Sequence, residues 1–371
     1  MAFSDRIVLY EELETALGYP VIAYVTSSRQ NASGEMASDV VSQFTKQLLC
    51  MPEDKNQVGL FVVSNGGDPT VAWRTMTLLR DRFEKITVLL PFSAYSAATL
   101  LALGADEIMM HPFSNLGPVD PQLTYVRRVP GQPGQSDTTE NIRFGSEDLR
   151  HYLNFVKSDA GISDQEQMER ALELICKDVG AIPIGVAKRG SYLALSMGEK
   201  LLSMHMGDKN KAKSIAESLN SSYYHHGYPL SRTEAEQIGL PVTRPTQPVE
   251  NLMWRIWDDI EKEMECSTPF IPLQIVLNGL SAAELVSPVN QINIPANLPP
   301  QIMQQVINNI LQQIAIVQVP PTEFEIFNAA VETIRCRSEY KTKGIILAVR
   351  LPDMNIAINV VPKYQGWQHF V

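Results

Sequence analysis

The sequence of 371 residues has few features that would suit a membrane, a nucleic acid or an oxidising compartment. No window approaches 18 uncharged apolar residues, so no transmembrane helix is predicted. The four cysteines lie far apart and form no C-x-x-C pair, which favours a reducing compartment. The formal net charge of -10 would repel phosphate backbones, and nucleic acid is therefore not expected as a partner.

Several other signals are missing as well. The six histidines show neither H-x-x-x-H nor H-E-x-x-H spacing, so no metal site is predicted, and no other cofactor is expected. The first 17 residues are acidic and lack the basic start and apolar run of a signal peptide. We therefore expect a cytoplasmic protein without an integral membrane segment.

The first hundred residues alternate between two hydrophobic patterns. Continuous apolar runs at residues 21–25, 58–63 and 86–90 are typical of strands that are buried on both faces. Between them, apolar residues recur at helical spacing in two stripes: Met36, Val40, Phe44 and Leu48, and Ala72, Met76, Leu79 and Phe83. Buried strands that alternate with helices predict an α/β fold whose parallel sheet is covered on both sides.

The length exceeds that of one ordinary domain, and the patterns change along the chain. We predict a main domain over residues 1–265, in which residues 123–147 form a loop and helices dominate after residue 150. Capping boxes formed by Ser163 with Glu166 and by Ser231 with Glu234 mark two of these helices. Residues 266–371 are predicted to form a small C-terminal α+β extension.

Two features of this extension guide the prediction. A helix in the charge-free stretch before residue 322 would place Ile302, Val306 and Ile310 on one apolar face, which suggests an oligomer contact. The pair Thr322 and Glu325 predicts the cap of a further helix, and residues 344–361 resemble a hairpin.

Two short segments could carry chemistry, each placed between a buried strand and a helix. The first contains Gly66 and Gly67, whose missing side chains allow backbone N–H groups to approach a ligand, although a plain turn capped by Asp68 fits equally. The second places Ser96 at a helix N-terminus, where the serine is either a nucleophile or only an N-cap. Together they suggest that the N–H groups of Gly67 and Ala97 form an oxyanion hole beside Ser96 Oγ, with Gly66 against the substrate.

These segments also carry a resemblance to a known family. Four motifs, taken in their order along the chain, resemble the serine dehydrogenase proteinase family, which is similar to signal-peptide peptidase A and to Clp protease. The motifs are Gly66-Gly67-Asp68-Pro69, Ala94-x-Ser96-Ala97-Ala98-Thr99-Leu100, Leu103-Gly104-Ala105-Asp106-Glu107-Ile108 and Leu116-Gly117-Pro118-Val119-Asp120-Pro121-Gln122. The resemblance covers residues 18–245. It implies a Clp/crotonase-type ββα spiral and a nucleophilic Ser96. The chain departs from the pattern at Ala94 and Ala98, where glycine is common, and at the residue before the paired glycines, where proline is usual.

The sequence leaves three candidates for the residues that assist Ser96. His226 is the natural base for a serine, although a histidine there could also cap or pack. Asp120 follows Ser96 by 24 residues and would orient a base or contact substrate, or simply form an Asp-Pro turn. Lys188 would act as the base only if burial deprotonates it, as in the Ser-Lys dyads of signal-peptide peptidases.

The resulting hypothesis is a homo-oligomeric serine peptidase that acts on peptides or unfolded polypeptide through an acyl-enzyme on Ser96. The sequence has no Walker A motif, so any unfolding energy would come from a separate unfoldase partner. A crotonase-type acyl-CoA enzyme uses the same kind of oxyanion hole and is the alternative enzyme. An inactive scaffold that oligomerises through residues 285–319 is the alternative without chemistry.

Overall fold

The computed structural model describes residues 3–129, 138–223, 225–279, 282–287, 299–314 and 316–371. The first part of the chain contains α1 (Phe3–Leu17), β1 (Val21–Thr26), α2 (Val40–Leu49), β2 (Gln57–Val63), α3 (Pro69–Arg80), β3 (Lys85–Leu90), β4 (Ser93–Ala94), α4 (Ala97–Leu103), β5 (Glu107–Met110) and β6 (Asn115–Leu116). The middle part contains β7 (Gln122–Val129), β8 (Thr138–Gly145), α5 (Ser146–Asn154), a π-helical turn (Phe155–Asp159), α6 (Gln165–Val179), α7 (Ala181–Leu202), α8 (Lys209–Ser221), β9 (Leu230–Ser231), α9 (Arg232–Gln237), β10 (Val242–Thr243) and α10 (Gln247–Glu263). The last part contains α11 (Pro272–Leu277), α12 (Ala282–Leu285), α13 (Pro300–Gln313), β11 (Val317–Gln318), β12 (Thr322–Glu332), β13 (Arg337–Arg350) and β14 (Ile356–Phe370).

The central sheet contains the buried strands that the apolar runs predict. β10, β5, β3, β2 and β1 lie side by side in that order and pair in parallel. All six residues of β1 are buried, because side chains from both faces of the sheet enter apolar clusters. Helices α2, α3 and α4 cover one face, and α1 and α10 cover the other. The α/β prediction is therefore confirmed.

A second, smaller sheet lies at the ends of the main strands. It has the order β4, β6, β9, and each of its first two strands directly follows a strand of the central sheet. Ser64, just after β2, extends this arrangement through a parallel bridge to Ala94. The chain thus repeats a long strand, a short strand and a helix, which is the ββα spiral that we expected.

The C-terminal segment contains helices and strands, as predicted, and its strands join the central sheet. β12 pairs antiparallel with β1, so that Ala23 faces Glu332, and β13 and β14 continue the sheet outward. The helix predicted from Thr322 and Glu325 is wrong. Both residues belong to β12, where Phe324 is buried and Glu325 is exposed, a period of two that a strand requires.

Residues 122–129 and 138–145 form an antiparallel ribbon of β7 and β8, which corrects the loop predicted over this part of the chain. On one face of the ribbon, Leu123, Tyr125 and Phe144 pack into an apolar cluster with Val179 of α6 and Ala187 of α7. Apolar residues at alternate positions in β7 stabilise a strand of this kind. The proline and glycine residues that suggested a loop lie in residues 130–137, outside the described residues.

Two of the helix predictions can be refined. The capping box at α9 is confirmed, because Ser231 Oγ accepts the N–H of Glu234 and the Glu234 side chain accepts the N–H of Ser231. At α6 the cap is Asp164, whose side chain accepts the N–H of Gln167, and the predicted cap at Ser163 is wrong. The predicted apolar helix before residue 322 is present as α13.

Candidate active site

Ser96 occupies a sharp turn between β4 and α4. Its backbone has φ 54° and ψ -118°, a conformation that side chains with a Cβ rarely adopt. Its N–H donates to the carbonyl of Pro118 at 3.2 Å, and its carbonyl accepts the N–H of Leu100 at 3.0 Å. Every residue of α4 is buried, so the helix is firmly held. A strained serine between a strand and a buried helix is the geometry in which a hydroxyl is presented to a substrate.

Gly66 and Gly67 form the turn that lies against Ser96. Both have a positive φ, of 93° and 148° respectively. A Cβ on Gly66 would come within 2.5 Å of the Tyr95 carbonyl oxygen and 2.8 Å of the Ala97 nitrogen. Gly66 uses its own N–H to bind Ser64 Oγ at 3.1 Å. Glycine is therefore required here so that the two segments can approach each other.

The backbone N–H groups of Gly67 and Ala97 donate to no backbone carbonyl among the described residues. Met36 forms a parallel bridge with Gly67, in which its N–H donates to the Gly66 carbonyl and its carbonyl accepts the N–H of Asp68. In such a bridge the N–H of Gly67 itself points away from Met36. Ala97 is the first residue of α4, where N–H groups have no acceptor within the helix. These groups are the predicted oxyanion donors.

His226 and Asp120 are hydrogen-bonded to each other across 106 positions of sequence. The Nδ1 atom of His226 lies 2.9 Å from Oδ1 of Asp120, and Gln122 Nε2 donates to the other carboxylate oxygen at 3.3 Å. Since a carboxylate can only accept, Nδ1 carries the proton. In the neutral imidazole, this tautomer leaves Nε2 of His226 as an acceptor. The side chain of His226 is 35% exposed and that of Asp120 only 14%, so the carboxylate lies behind the ring.

A cavity of about 770 Å³ contains these groups. Ser96, Gly66, Gly67 and His226 line this cavity. Asp120 does not line it but is hydrogen-bonded to His226, which does. The structure thus brings together the predicted nucleophile, the glycine turn and one of the candidate bases. His225 also lines the cavity, but its Nδ1 accepts the N–H of Gly227 at 3.0 Å, so it fixes the loop.

Lys188 lies elsewhere. It is an exposed residue of α7, and its Nζ sits 4.7 Å from the centre of the Tyr192 ring. It does not line the cavity around Ser96. Lys188 is therefore neither buried nor placed in the cavity that contains Ser96.

Several residues of the cavity were not found by sequence reasoning. They include Glu35, just before Met36, and Thr124 and Arg143 of the ribbon. The alternation of β7 could have revealed the ribbon, but nothing in the sequence indicates that its polar face borders Ser96. Within the ranges that the structure describes, no group of three or more metal-ligating side chains is found. None of the helices in those same ranges is long and apolar enough to cross a bilayer.

Comparison with known families supports the resemblance that the sequence motifs indicate. The family model of the ClpP-like SDH-type serine proteinase matches residues 36–130, a segment that contains Gly66, Gly67, Ser96 and Asp120. The resemblance to the serine dehydrogenase proteinase family is therefore confirmed over this segment. Together with the ββα spiral, it confirms the Clp/crotonase-type fold. The match ends before His226 and therefore does not test the histidine.

Two uncharacterized proteins of Methanocaldococcus jannaschii are more extensively similar. One is 27% identical over 233 residues, which is 62% of this chain and 63% of that protein. The other is 28% identical over 257 residues, which is 67% of this chain and 77% of that protein. The chain thus spans slightly less than two thirds of the first relative.

Solved structures with a similar fold include two proteases. The 1510-N membrane-bound stomatin-specific protease aligns with 63% of this chain and 80% of its own, at a TM-score of 0.35 and 15% identity. ClpP1 from Listeria monocytogenes aligns with 67% of this chain and 99% of its own, at a TM-score of 0.31 and 11% identity. Because both scores are low, the fold assignment rests on the family match and the strand order.

Proposed function

We propose that this protein is a serine peptidase that cleaves peptides or unfolded polypeptide through an acyl-enzyme on Ser96. The observation that carries the proposal is the His226–Asp120 hydrogen bond in the cavity that also contains Ser96 and the two glycines. A hydroxyl, an oriented imidazole and two free N–H groups are the parts that acyl transfer requires.

In the proposed reaction, His226 Nε2 takes the proton of Ser96 as Oγ attacks the scissile carbonyl carbon. The N–H groups of Gly67 and Ala97 hold the oxyanion of the tetrahedral intermediate. His226 then gives its proton to the leaving amine as the C–N bond breaks. His226 then takes a proton from a water molecule, whose oxygen attacks the acyl carbon of the acyl-enzyme. The C–Oγ bond breaks, His226 returns the proton to Ser96 Oγ and the acid product leaves, while Asp120 keeps the imidazole in the required tautomer.

This proposal chooses among the alternatives that the sequence left open. His226 is preferred to Lys188 because only the histidine lines the cavity with Ser96. Asp120 is proposed to orient the base because its carboxylate holds Nδ1 of the ring. The chain order serine, aspartate, histidine also occurs in α/β-hydrolases, which shows that it is compatible with a working triad.

A fluorophosphonate probe tests the proposal directly, because it reacts with an activated serine and with neither an acyl-CoA site nor an inert scaffold. We expect the wild type to be labelled at Ser96 and the Ser96→Ala variant to remain unlabelled. Hydrolysis of an unfolded protein should fall by about 10⁴ or more in the same variant. Equal labelling or equal hydrolysis by the two proteins would refute the nucleophile.

We further propose a homo-oligomer in the cytoplasm. Helix α13 exposes 46% of Ile302 and 38% of Met303, an apolar surface that a second copy would cover. All four cysteines are free, as a reducing compartment favours. A separate unfoldase would be needed for folded substrates, since the sequence has no nucleotide-binding motif.

A further inference from the structure

The polar face of the β7–β8 ribbon forms one wall of the cavity. Thr124 and Arg143 are cross-strand partners, so their side chains project from the same face, and both line the cavity. The adjacent pair, Leu123 and Phe144, projects from the other face and packs onto α6 and α7. This packing fixes the orientation of the ribbon and keeps Arg143 on the face that lines the cavity.

Arg143 is a cation that has no polar partner among the described residues. No hydrogen bond or ion pair joins its guanidinium to any of the described residues. Arg127 of the same ribbon provides the contrast, because it projects from the packed face and binds Glu140 at 2.7 Å and Asp178 at 3.3 Å. In a protein of net charge -10, an unpaired arginine at this position has no evident structural role.

Charge within the cavity is divided between two walls. Apart from the histidines, its charged lining residues in the described chain are Glu35 and Arg143, and no ion pair joins them. Glu35 belongs to the segment beside Gly67 and also borders a second cavity that contains Asp39. A substrate therefore meets negative charge on the glycine side and positive charge on the ribbon side.

We infer that Arg143 is a specificity residue that binds a carboxylate of the polypeptide substrate near the scissile bond. The planar guanidinium matches a carboxylate in a two-point interaction, and the Thr124 hydroxyl beside it adds a donor. The carboxylate could come from an acidic side chain or from the C-terminus of the chain. This inference rests on the proposed peptidase function, since it names the substrate class of the same site.

Matched peptides separate these two sources. One pair carries an internal Asp or Asn and is amidated at the C-terminus; the other is neutral throughout and ends in a free acid or an amide. We expect the wild type to favour the acidic member of one pair by about tenfold in kcat/KM, a modest factor because Arg143 is exposed. The preference should shrink at high salt.

Variants of the ribbon assign the preference to one residue. Arg143→Gln should bring the acid-to-neutral ratio close to one, and Arg143→Glu should shift preference to a peptide with Lys in place of Asp. Arg127→Gln is the matched control, since it removes a cation from the packed face and should keep the ratio. A wild type without acidic preference in either pair, or an Arg143→Gln variant that retains it, would overturn the inference.

Peptide binding to the Ser96→Ala variant, measured by fluorescence anisotropy, separates this inference from the peptidase proposal. If the Ser96→Ala variant binds the acidic peptide and the Ser96→Ala, Arg143→Gln double variant does not, Arg143 is supported as the carboxylate-binding residue, even if the wild type hydrolyses no peptide. Hydrolysis that shows equal rates for acidic and neutral peptides supports the peptidase and rejects Arg143 as a specificity residue.

Discussion

Replacing Ser96 by glycine should stabilise the protein relative to replacing it by alanine. The residue has φ 54° and ψ -118°, and a sparsely populated backbone conformation of this kind costs a residue with a Cβ about 1 to 3 kcal/mol. Glycine escapes this cost but loses roughly 0.5 to 1 kcal/mol in backbone entropy. Ser96→Gly is therefore expected to be about 1 kcal/mol more stable than Ser96→Ala, although both lack the hydroxyl.

Thermal unfolding followed by circular dichroism measures this difference. For a chain of this size, 1 kcal/mol corresponds to a Tm higher by about 1 °C. The control is Ser42, an exposed residue in the right-handed helix α2, where the glycine variant should be about 1 kcal/mol less stable than the alanine variant. If Ser96→Gly melts at or below the temperature of Ser96→Ala, the turn at Ser96 is not strained.

Other predictions concern the base, its orientation, acid stability and assembly. His226→Gln should lower kcat/KM by about 10⁴, whereas Lys188→Met should leave it within about twofold; the reverse result would favour a Ser-Lys dyad. Asp120→Asn should lower kcat/KM by up to about 10⁴, because it favours the wrong tautomer of the His226 imidazole, and an unchanged kcat/KM would exclude this orienting role of Asp120. Burial alone would raise the pKa of the Glu263 carboxyl, but the charges of Arg337 and Arg6 lower this pKa overall in the folded protein. The ionised carboxylate therefore stabilises the fold at pH values above its ordinary pKa of 4.5, and this stabilisation is lost as the pH falls through the lower pKa of the folded state. The urea midpoint should therefore fall on acidification below about pH 4.5, and less steeply in Glu263→Gln; equal slopes would contradict this. Sedimentation at micromolar concentration should give a species larger than the 41.4 kDa monomer, and a monomer would contradict the proposed oligomer.

Local signals explain why much of the fold could be predicted from the sequence. Runs such as residues 58–63 are apolar on both faces of a strand, and this pattern depends only on neighbouring residues. The turn at Ser96 could also be predicted, because this serine lies between the apolar run at residues 86–90 and the small helix-forming residues Ala97 and Ala98. The elements that came out wrong, β7, β8 and β12, alternate between apolar and polar residues. In these segments, turn residues and an apparent capping pair masked the period of two.

The base could not be predicted for a different reason. His226 lies in the loop before β9, and it reaches Asp120 because β9 pairs with β6 in the small sheet, just before the segment that ends at Asp120. That pairing joins parts of the chain more than a hundred residues apart, and no local pattern encodes it. The exposure of Lys188 could not be predicted either, because it depends on how α7 packs. The buried side chains of α7 pack on α4 and α8, and Lys188 faces outward. In the proposed site, the positions of the nucleophile and its oxyanion donors depend on two neighbouring strand-to-helix turns. The position of the base depends instead on the long-range pairing of β9 with β6.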